Sequence, residues 1–380
     1  MGEFVRVVND ERGKMVSLLE FVRGQKGHGA FLLCVASSES SDHPGISNAG
    51  ATPELRRHTP AIDAEALVMG EPANNAELPV SPTGVVSPVV ITRACMRLAN
   101  FGITVVDCGS FRAPEIPQAV KAGQRTAKCV STGAAQDYGD VKQLFEAGMT
   151  IGQTLVANCD YIILSECVPA GTTTALGVLT ALGFAAQGLV SSSLQQSNHD
   201  FRGRLIREGL ERAKLDVDSV KKAPLNAVAA VGDPMQPFVA GLAIAASESV
   251  PVILGGGSQM LAVYALAQAL LASDAERFPL DAERTLGVIT TKWVVQDSSA
   301  DTPALSKMVG APFACSCPDF GRSRHPGLRS YEEGNVKEGV GAGAAMAIAH
   351  LAGGATPEAI VEEIDTCYDE MVLKKVSASK

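Results

Sequence analysis

Short apolar runs recur along this chain, each closed by a turn-forming segment and followed by a stretch of helical character. The clearest are Phe31-Leu-Leu-Cys-Val-Ala36, Ile103-Thr-Val-Val-Asp107, Tyr161-Ile-Ile-Leu-Ser165, Val250-Pro-Val-Ile-Leu254 and Thr285-Leu-Gly-Val-Ile-Thr290. Runs this short and apolar suit strands buried on both faces, the condition of a parallel sheet. Between them, residues 89–99, 144–158, 173–183, 237–247, 259–271 and 340–351 carry helical patterning, and 204–213 carries charges at helical spacing. Residues 225–231 read as a strand or a buried helix. Strand–turn–helix alternation over roughly 250 residues leaves one economical solution, an α/β fold with a doubly wound, mostly parallel sheet flanked by helices. Such sheets bind ligands outside the carboxyl ends of their strands, where the strand order reverses.

The rest of the chain is less regular. Residues 1–28 read as an amphipathic helical lead-in ending at Gly24 and Gly27. The Pro-, Gly- and Asn-rich passage 44–88 is expected to hold at most one more strand, near Glu65-Ala-Leu-Val-Met69.

Charge and composition exclude several functions. A net charge of −9 and only 5% aromatic residues argue against a phosphate-backbone or base-stacking surface, so no nucleic-acid partner is expected. The nine cysteines have no framework spacing, which fits reduced thiols and a cytoplasmic protein. The start, MGEFVRVVNDERGKM, lacks an apolar h-region, and the long uncharged stretches are broken by Pro, Gly and polar residues. Neither a signal peptide nor a membrane span is expected. No HExxH or His-x-His cluster marks a metal site, the close pair Cys315-Ser-Cys317 lacks zinc-knuckle spacing, and no cofactor is expected.

Four turns and one helix start carry the chemistry. At Tyr331–Ile348, Glu338 stands directly before Gly339-Val-Gly341-Ala-Gly343 and a small-residue helix. A carboxylate there can accept a proton while backbone N–H groups hold an anion. Upstream, Glu166 ends a strand and Gly171, Thr172 and Thr173 open a helix. Their hydroxyls and N–H groups can bind phosphate or sugar oxygens, and Glu166 can hold a ribose hydroxyl or orient a base. Equally, the threonines can cap the helix and Glu166 can complement its dipole. Gly255, Gly256, Gly257 and Ser258 form another strand–turn–helix junction, either a phosphate cradle or a structural turn. Met260 occupies the last Gly position of a dinucleotide fingerprint, and no P-loop Lys follows. Gly232-Asp233-Pro-Met-Gln-Pro237 places an acid at a rigid loop, facing a site or starting a turn. The basic and acidic residues of 321–334 can clamp an anion with His325 as acid, or form a solvated loop. No G-x-S-x-G elbow supports serine hydrolysis.

With these residues in hand, the chain resembles the nicotinate-nucleotide:dimethylbenzimidazole phosphoribosyltransferases of cobamide biosynthesis, chiefly their archaeal-type branch. The likeness to that branch runs from Phe31 onward. It includes Pro44-Gly-Ile-Ser-Asn-Ala-Gly50, Pro53-Glu-Leu55, Pro169-Ala-Gly-Thr-Thr-Thr-Ala-Leu176, Gly232-Asp-Pro-Met235 and Tyr331-Glu-Glu-Gly334. The bacterial branch is matched locally, at the Glu166 turn, at residues 238–254 and at Lys337-Glu-Gly-Val-Gly-Ala-Gly343.

The resemblance implies an α/β core over 29–315, with 1–28 and 316–380 forming a smaller helical domain, and a homodimer. It implies transfer of phosphoribose from nicotinate mononucleotide to a benzimidazole-like base, giving an α-ribazole-type phosphate and nicotinate. Glu338 matches the family's catalytic Glu, and Glu166 with its threonines matches a ribose- and phosphate-side segment. The family's phosphate-binding lysine falls nearest Arg204.

Departures are visible. Val168 replaces an inner Gly and Gly171 replaces Asn in the bacterial pattern Glu-x-Gly-x-x-Asn-Thr-Thr. Lys337 replaces the Gly before Glu338, where a nearby ammonium is expected to lower the carboxylate's basicity. Two rival readings stand beside this one. A diphosphate-donor phosphoribosyltransferase is imitated by residues 161–173, but Ser165 stands where one of its two acids belongs. A non-catalytic nucleotide or cobamide-precursor binding protein would keep the pocket without turnover.

Overall fold

The computed structural model describes residues 4–25, 28–278 and 284–373. Eight strands form one sheet: β1 (Val5–Asn9), β2 (Gly29–Ala36), β3 (Ile103–Gly109), β4 (Val120–Lys121), β5 (Tyr161–Cys167), β6 (Val252–Gly255), β7 (Leu286–Thr291) and β8 (Phe313–Ser316). Their spatial order is β1-β8-β7-β6-β5-β2-β3-β4, parallel throughout except where β1 pairs antiparallel with β8. The chain starts its parallel part at β2, builds outward through β3 and β4, then returns to the other side of β2 with β5. The strand order therefore reverses between β2 and β5, as a doubly wound sheet requires.

Strand periodicity divides the core in two. Leu32, Cys34, Ile162, Leu164, Val252, Leu254 and Val288 pack under the helices Tyr138–Leu155, Gly171–Ala181, Met235–Ala246 and Ser258–Ser273. Phe31, Leu33, Val35, Ile163, Ile253 and Ile289 face the opposite layer, built from Lys14–Gly24, Val89–Ala99, Ala342–Leu351 and Pro357–Tyr368. Both faces are covered, which explains why the strands read as continuous apolar runs.

Two expectations are corrected. Residues 1–28 are not helical throughout: β1 comes first, and Asp10 then caps the Lys14–Gly24 helix by accepting from the backbone N–H groups of Met15 (2.9 Å) and Val16 (3.0 Å). Gly27 and residues 1–3 lie outside the described residues. Glu65–Met69 is no strand but the last part of the Pro53–Met69 helix. Thr52 accepts from Leu55 N–H at its start, Pro53 occupies the first turn, and Gly70 closes it at φ 90°. Residues 225–231 are a helix. No helix among the described residues is long and apolar enough to cross a membrane.

Candidate active site

A cleft opens at the carboxyl ends of the strands, beside the β2/β5 reversal. Its floor comes from the segments after β2 (Ser47 to Gly50), after β5 (Val168 to Thr172) and after β6 (Gly257 to Gln259). Val336 to Val340 and Ser191 to Ser193 close one side. Asp63 from the Pro53–Met69 helix, with Pro79, Val85, Ser87 and Pro88, closes the other.

Glu338 is held from several directions. Its Oε1 accepts from the backbone N–H groups of Gly339 and Gly343 (both 3.2 Å), and its Oε2 from the Thr290 hydroxyl (3.1 Å). The backbone around it is bent into an unusual course, with positive φ at Val336 (67°), Lys337 (67°) and Val340 (54°). Left-handed backbone is costly for residues other than Gly, above all for β-branched valine. Fixed contacts hold it there. Val340 N–H donates to the Glu166 carbonyl (2.9 Å), the Thr92 hydroxyl to the Val340 carbonyl (3.0 Å) and the Thr291 hydroxyl to the Lys337 carbonyl (2.6 Å). Gly343 lets the Ala342–Leu351 helix lie directly on β7, since a Cβ there would stand 2.1 Å from the Thr290 carbonyl carbon. Burial raises the Glu338 carboxyl to about 7, against the pull of its N–H and hydroxyl donors.

Glu166 lies near the end of β5 and is only 3% exposed. Its Oε2 accepts from Val168 N–H (3.0 Å), and the Gln259 side chain also hydrogen-bonds to it. Burial, then the charge of Glu338, pushes its carboxyl up to about 8. Glu166 and Glu338 thus share the cleft with Asp63, and burial raises both glutamate carboxyls. Gly171 makes room for this arrangement: a Cβ at that position would meet the Gln259 Oε1 at 1.8 Å.

Lys337 does not act on Glu338 as the sequence led us to expect. Its ammonium lies 2.9 Å from Asp297 Oδ2 and donates to the Ser192 carbonyl (3.1 Å) and the Leu194 carbonyl. It braces the serine loop, and the Glu338 carboxyl is raised rather than lowered. Arg202, fully buried, supports the same loop through the carbonyls of Val190 (2.9 Å) and Ser191 (3.4 Å).

Of the other candidates, Thr172, Gly257, Ser258 and Gly339 line the cleft. Thr173, Gly255, Gly256 and Gly341 do not line it: Thr173 is buried, and a Cβ at Gly341 would stand 2.5 Å from the Ser165 Cβ. Asp233 is wholly buried and does not line the cleft; its carboxylate accepts from the Thr174 hydroxyl and Met235 N–H (3.1 Å), and Gly232 lies beside it. Arg204 is exposed over the Phe201 ring (5.3 Å) and is not brought to the cleft. His325 stacks on Tyr368 (4.3 Å between ring centroids) beside Asp369, also away from it. Sequence reasoning missed Asp63, Ser87, Ser191 to Ser193 and Gln259. The motif Ile46-Ser-Asn-Ala-Gly50 was the one signal pointing at this part of the cleft: Asn48 N–H donates to the Ser193 hydroxyl (2.8 Å).

The family model described as phosphoribosyltransferase matches residues 90–282. Relatives include a UPF0284 protein of Gloeobacter violaceus, 44% identical over 341 residues (89% of this chain, 87% of that one). Another is a UPF0284 protein of Methanothermobacter thermautotrophicus, 39% identical over 327 residues (85% and 88%). Among solved structures, CobT from Thermus thermophilus superposes with a TM-score of 0.58 at 16% identity, covering 94% of this chain and 92% of that chain. The nicotinate-nucleotide-dimethylbenzimidazole phosphoribosyltransferase structure from the same organism gives 0.57 at 16% identity, with 99% and 96% covered. These two likenesses establish a shared fold. The chain belongs to this phosphoribosyltransferase family, enzymes of the pentosyltransferase class.

Proposed function

We propose that this enzyme moves phosphoribose from nicotinate mononucleotide to a benzimidazole-like base, releasing nicotinate and forming an α-ribazole-type phosphate. The observation that carries the reading is Glu338: a carboxyl raised to about 7, fixed by three donors at one side of the cleft. An unprotonated ring nitrogen of the base attacks C1′ as the C1′–nitrogen bond to nicotinate breaks. The pyridinium nitrogen keeps the bonding pair and leaves as a neutral ring, so its departure asks for no acid. The proton on the base's other ring nitrogen passes to Glu338. Glu166, still protonated near neutral pH, can donate to a ribose hydroxyl. Among cleft residues Lys337 is the one cationic side chain, and it is committed to Asp297. The phosphate is therefore assigned to hydroxyls and backbone N–H groups at Thr172, Ser192, Ser193, Ser258 and the helix starts at Gly171 and Ser258. A homodimer in the cytoplasm belongs to the same reading, by family likeness.

Nicotinate release from nicotinate mononucleotide, with dimethylbenzimidazole or adenine, with and without magnesium, tests the proposal. Base-dependent, magnesium-independent release that Glu338→Gln abolishes supports it. Release that requires magnesium and a diphosphate donor, or mononucleotide binding without release, selects one of the rival readings.

A further inference from the structure

One buried acid in the cleft has no part in the chemistry above. Asp63 is 2% exposed and lines the wall shared with Pro79, Val85 and Pro88. Its Oδ2 accepts from the Ser87 hydroxyl (2.8 Å) and the Cys167 thiol (3.4 Å), which fixes the plane of the carboxyl. Its Oδ1 has no hydrogen-bond partner among the described residues. Burial lifts this carboxyl to about 7, against the two donors, and no cation is among the causes acting on it. A buried polar atom without a partner is destabilising unless something in the native complex completes it. Beside Thr59, Ser81 and Ser87, the surrounding wall contributes the rings of Pro79 and Pro88 and the branched Val85, apolar lining of the kind a flat aromatic molecule uses.

Resting on the reading of this cleft as a phosphoribosyltransferase site, we propose that Asp63 determines which aromatic base is accepted. Its Oδ1 pairs with a hydroxyl, amino or N–H group on the ring edge. In either protonation state the atom can take part, donating when protonated and accepting when ionised. A ring edged only by methyl groups, as in dimethylbenzimidazole, leaves Oδ1 bare. The enzyme therefore takes bases with a hydrogen-bonding edge in preference to the dimethylated one. Sites built around a hydrogen bond reject analogues that lack it far more strongly than apolar pockets reject an extra group.

The test measures KM for 5-hydroxybenzimidazole, adenine and dimethylbenzimidazole at saturating nicotinate mononucleotide, for wild type, Asp63→Asn and Asp63→Leu. Equilibrium binding of 5-hydroxybenzimidazole is measured in parallel by calorimetry. Wild type should favour the polar-edged bases by about tenfold or more. Asp63→Leu should erase that preference while KM for the mononucleotide stays unchanged, and Asp63→Asn, which keeps a polar edge, should retain part of it. The inference is overturned if wild type shows no preference, or if Asp63→Leu shifts every base and the mononucleotide alike. It also falls if 5-hydroxybenzimidazole fails to bind wild type. Binding that Asp63→Leu weakens, with no turnover of any base, would uphold Asp63 and remove the transferase reading instead. Melting temperatures of both variants identify a folding defect, and Asp63→Asn then carries the comparison alone.

Discussion

Glu166 and Glu338 stand in one cleft, at the ends of strands in one sheet, and burial raises both. What separates them is the charge of Glu338 acting on Glu166, and the donors around each. Glu338 has two backbone N–H groups and a threonine hydroxyl on its oxygens, so its carboxyl sits at about 7. Glu166 has one backbone N–H and the Gln259 side chain, with the Glu338 charge as a further penalty, and sits at about 8. On the proposed reading, one residue type becomes two reagents: Glu338 a base where N–H groups converge, and Glu166 a proton-holding acid where they do not.

The sharpest way to break this comparison is to neutralise each acid in turn. Glu338→Gln should lower the transfer rate by about 10²–10⁴-fold, the usual worth of a positioned base. Mononucleotide binding should persist. Glu166→Gln keeps a shape close to the protonated acid and should cost far less. Equal losses in steady-state nicotinate release from the two variants would end the division of roles.

The second largest effect concerns stability. Lys337 neighbours Glu338 in sequence but serves Asp297, and both partners are buried. Asp297 itself is held below the usual carboxylate range although burial opposes this, because the Ser191 hydroxyl and Lys337 outweigh it. Lys337→Met leaves that charge unpaired, at a cost of about 3–5 kcal/mol. Thermal melting should show a large fall, and adding Asp297→Asn should recover part of it. The acid limb of the pH–rate profile should stay at about 7 in Lys337→Met. A clear move of that limb would mean that Lys337 does act on Glu338.

These contrasts also show what the chain reveals before it folds. The parallel sheet was legible because strands such as Tyr161–Cys167 open on an unbroken apolar run, Tyr161 to Leu164, a consequence of cover on both faces. β1 was not, since Val5–Asn9 is a short edge strand that carries an exposed Arg6. The Pro53–Met69 helix was hidden by its own prolines, Pro53 in the first turn and Pro60 inside. In the cleft, Glu166, Thr172 and Ser258 were readable because they lie where a strand gives way to a helix, and Glu338 because it precedes a Gly-rich turn into a helix. Asp63, Gln259 and Ser191 to Ser193 reach the same space from helices and loops whose approach no local pattern encodes. Arg204 looked like an anion ligand and Asp233 like a site acid. Side-chain direction, which sequence does not report, sends the first to solvent and the second into a helix cap.

A smaller effect is a matter of pH. With Glu338 acting once ionised and Glu166 while protonated, the rate should rise through about 7 and fall beyond about 8. Stability follows its own sign. Both folded-state values lie above the ordinary 4.5, so the native state binds these protons more tightly than the unfolded chain. That contribution is complete below about 4.5 and is lost as pH rises towards about 8. Glu166→Gln cannot ionise, so its melting temperature should decline less between about pH 5 and about pH 9 than that of wild type. Its rate profile should also lose the alkaline limb. An unchanged alkaline limb in this variant would assign that limb to another group.

The smallest expected effect lies at Gly171, where the bacterial pattern has Asn. A methyl group here would overlap the Gln259 Oε1, which stands 1.8 Å from the Cβ position. Gln259 ends in a flexible chain, so Gly171→Ala should fold and the amide should swing aside. Its hydrogen bond to Glu166 lowers that carboxyl, so losing it should raise Glu166 further above about 8. The alkaline limb should then move upward by a fraction of a unit, with the acid limb unmoved. Gln259→Leu removes the same bond without touching the helix start, and the two variants should shift the limb alike. If Gly171→Ala alone lowers the rate and raises KM for nicotinate mononucleotide, then Gly171 matters through its backbone at the phosphate. If the two variants agree, the glycine is there to seat Gln259, whose hydrogen bond lowers the Glu166 carboxyl.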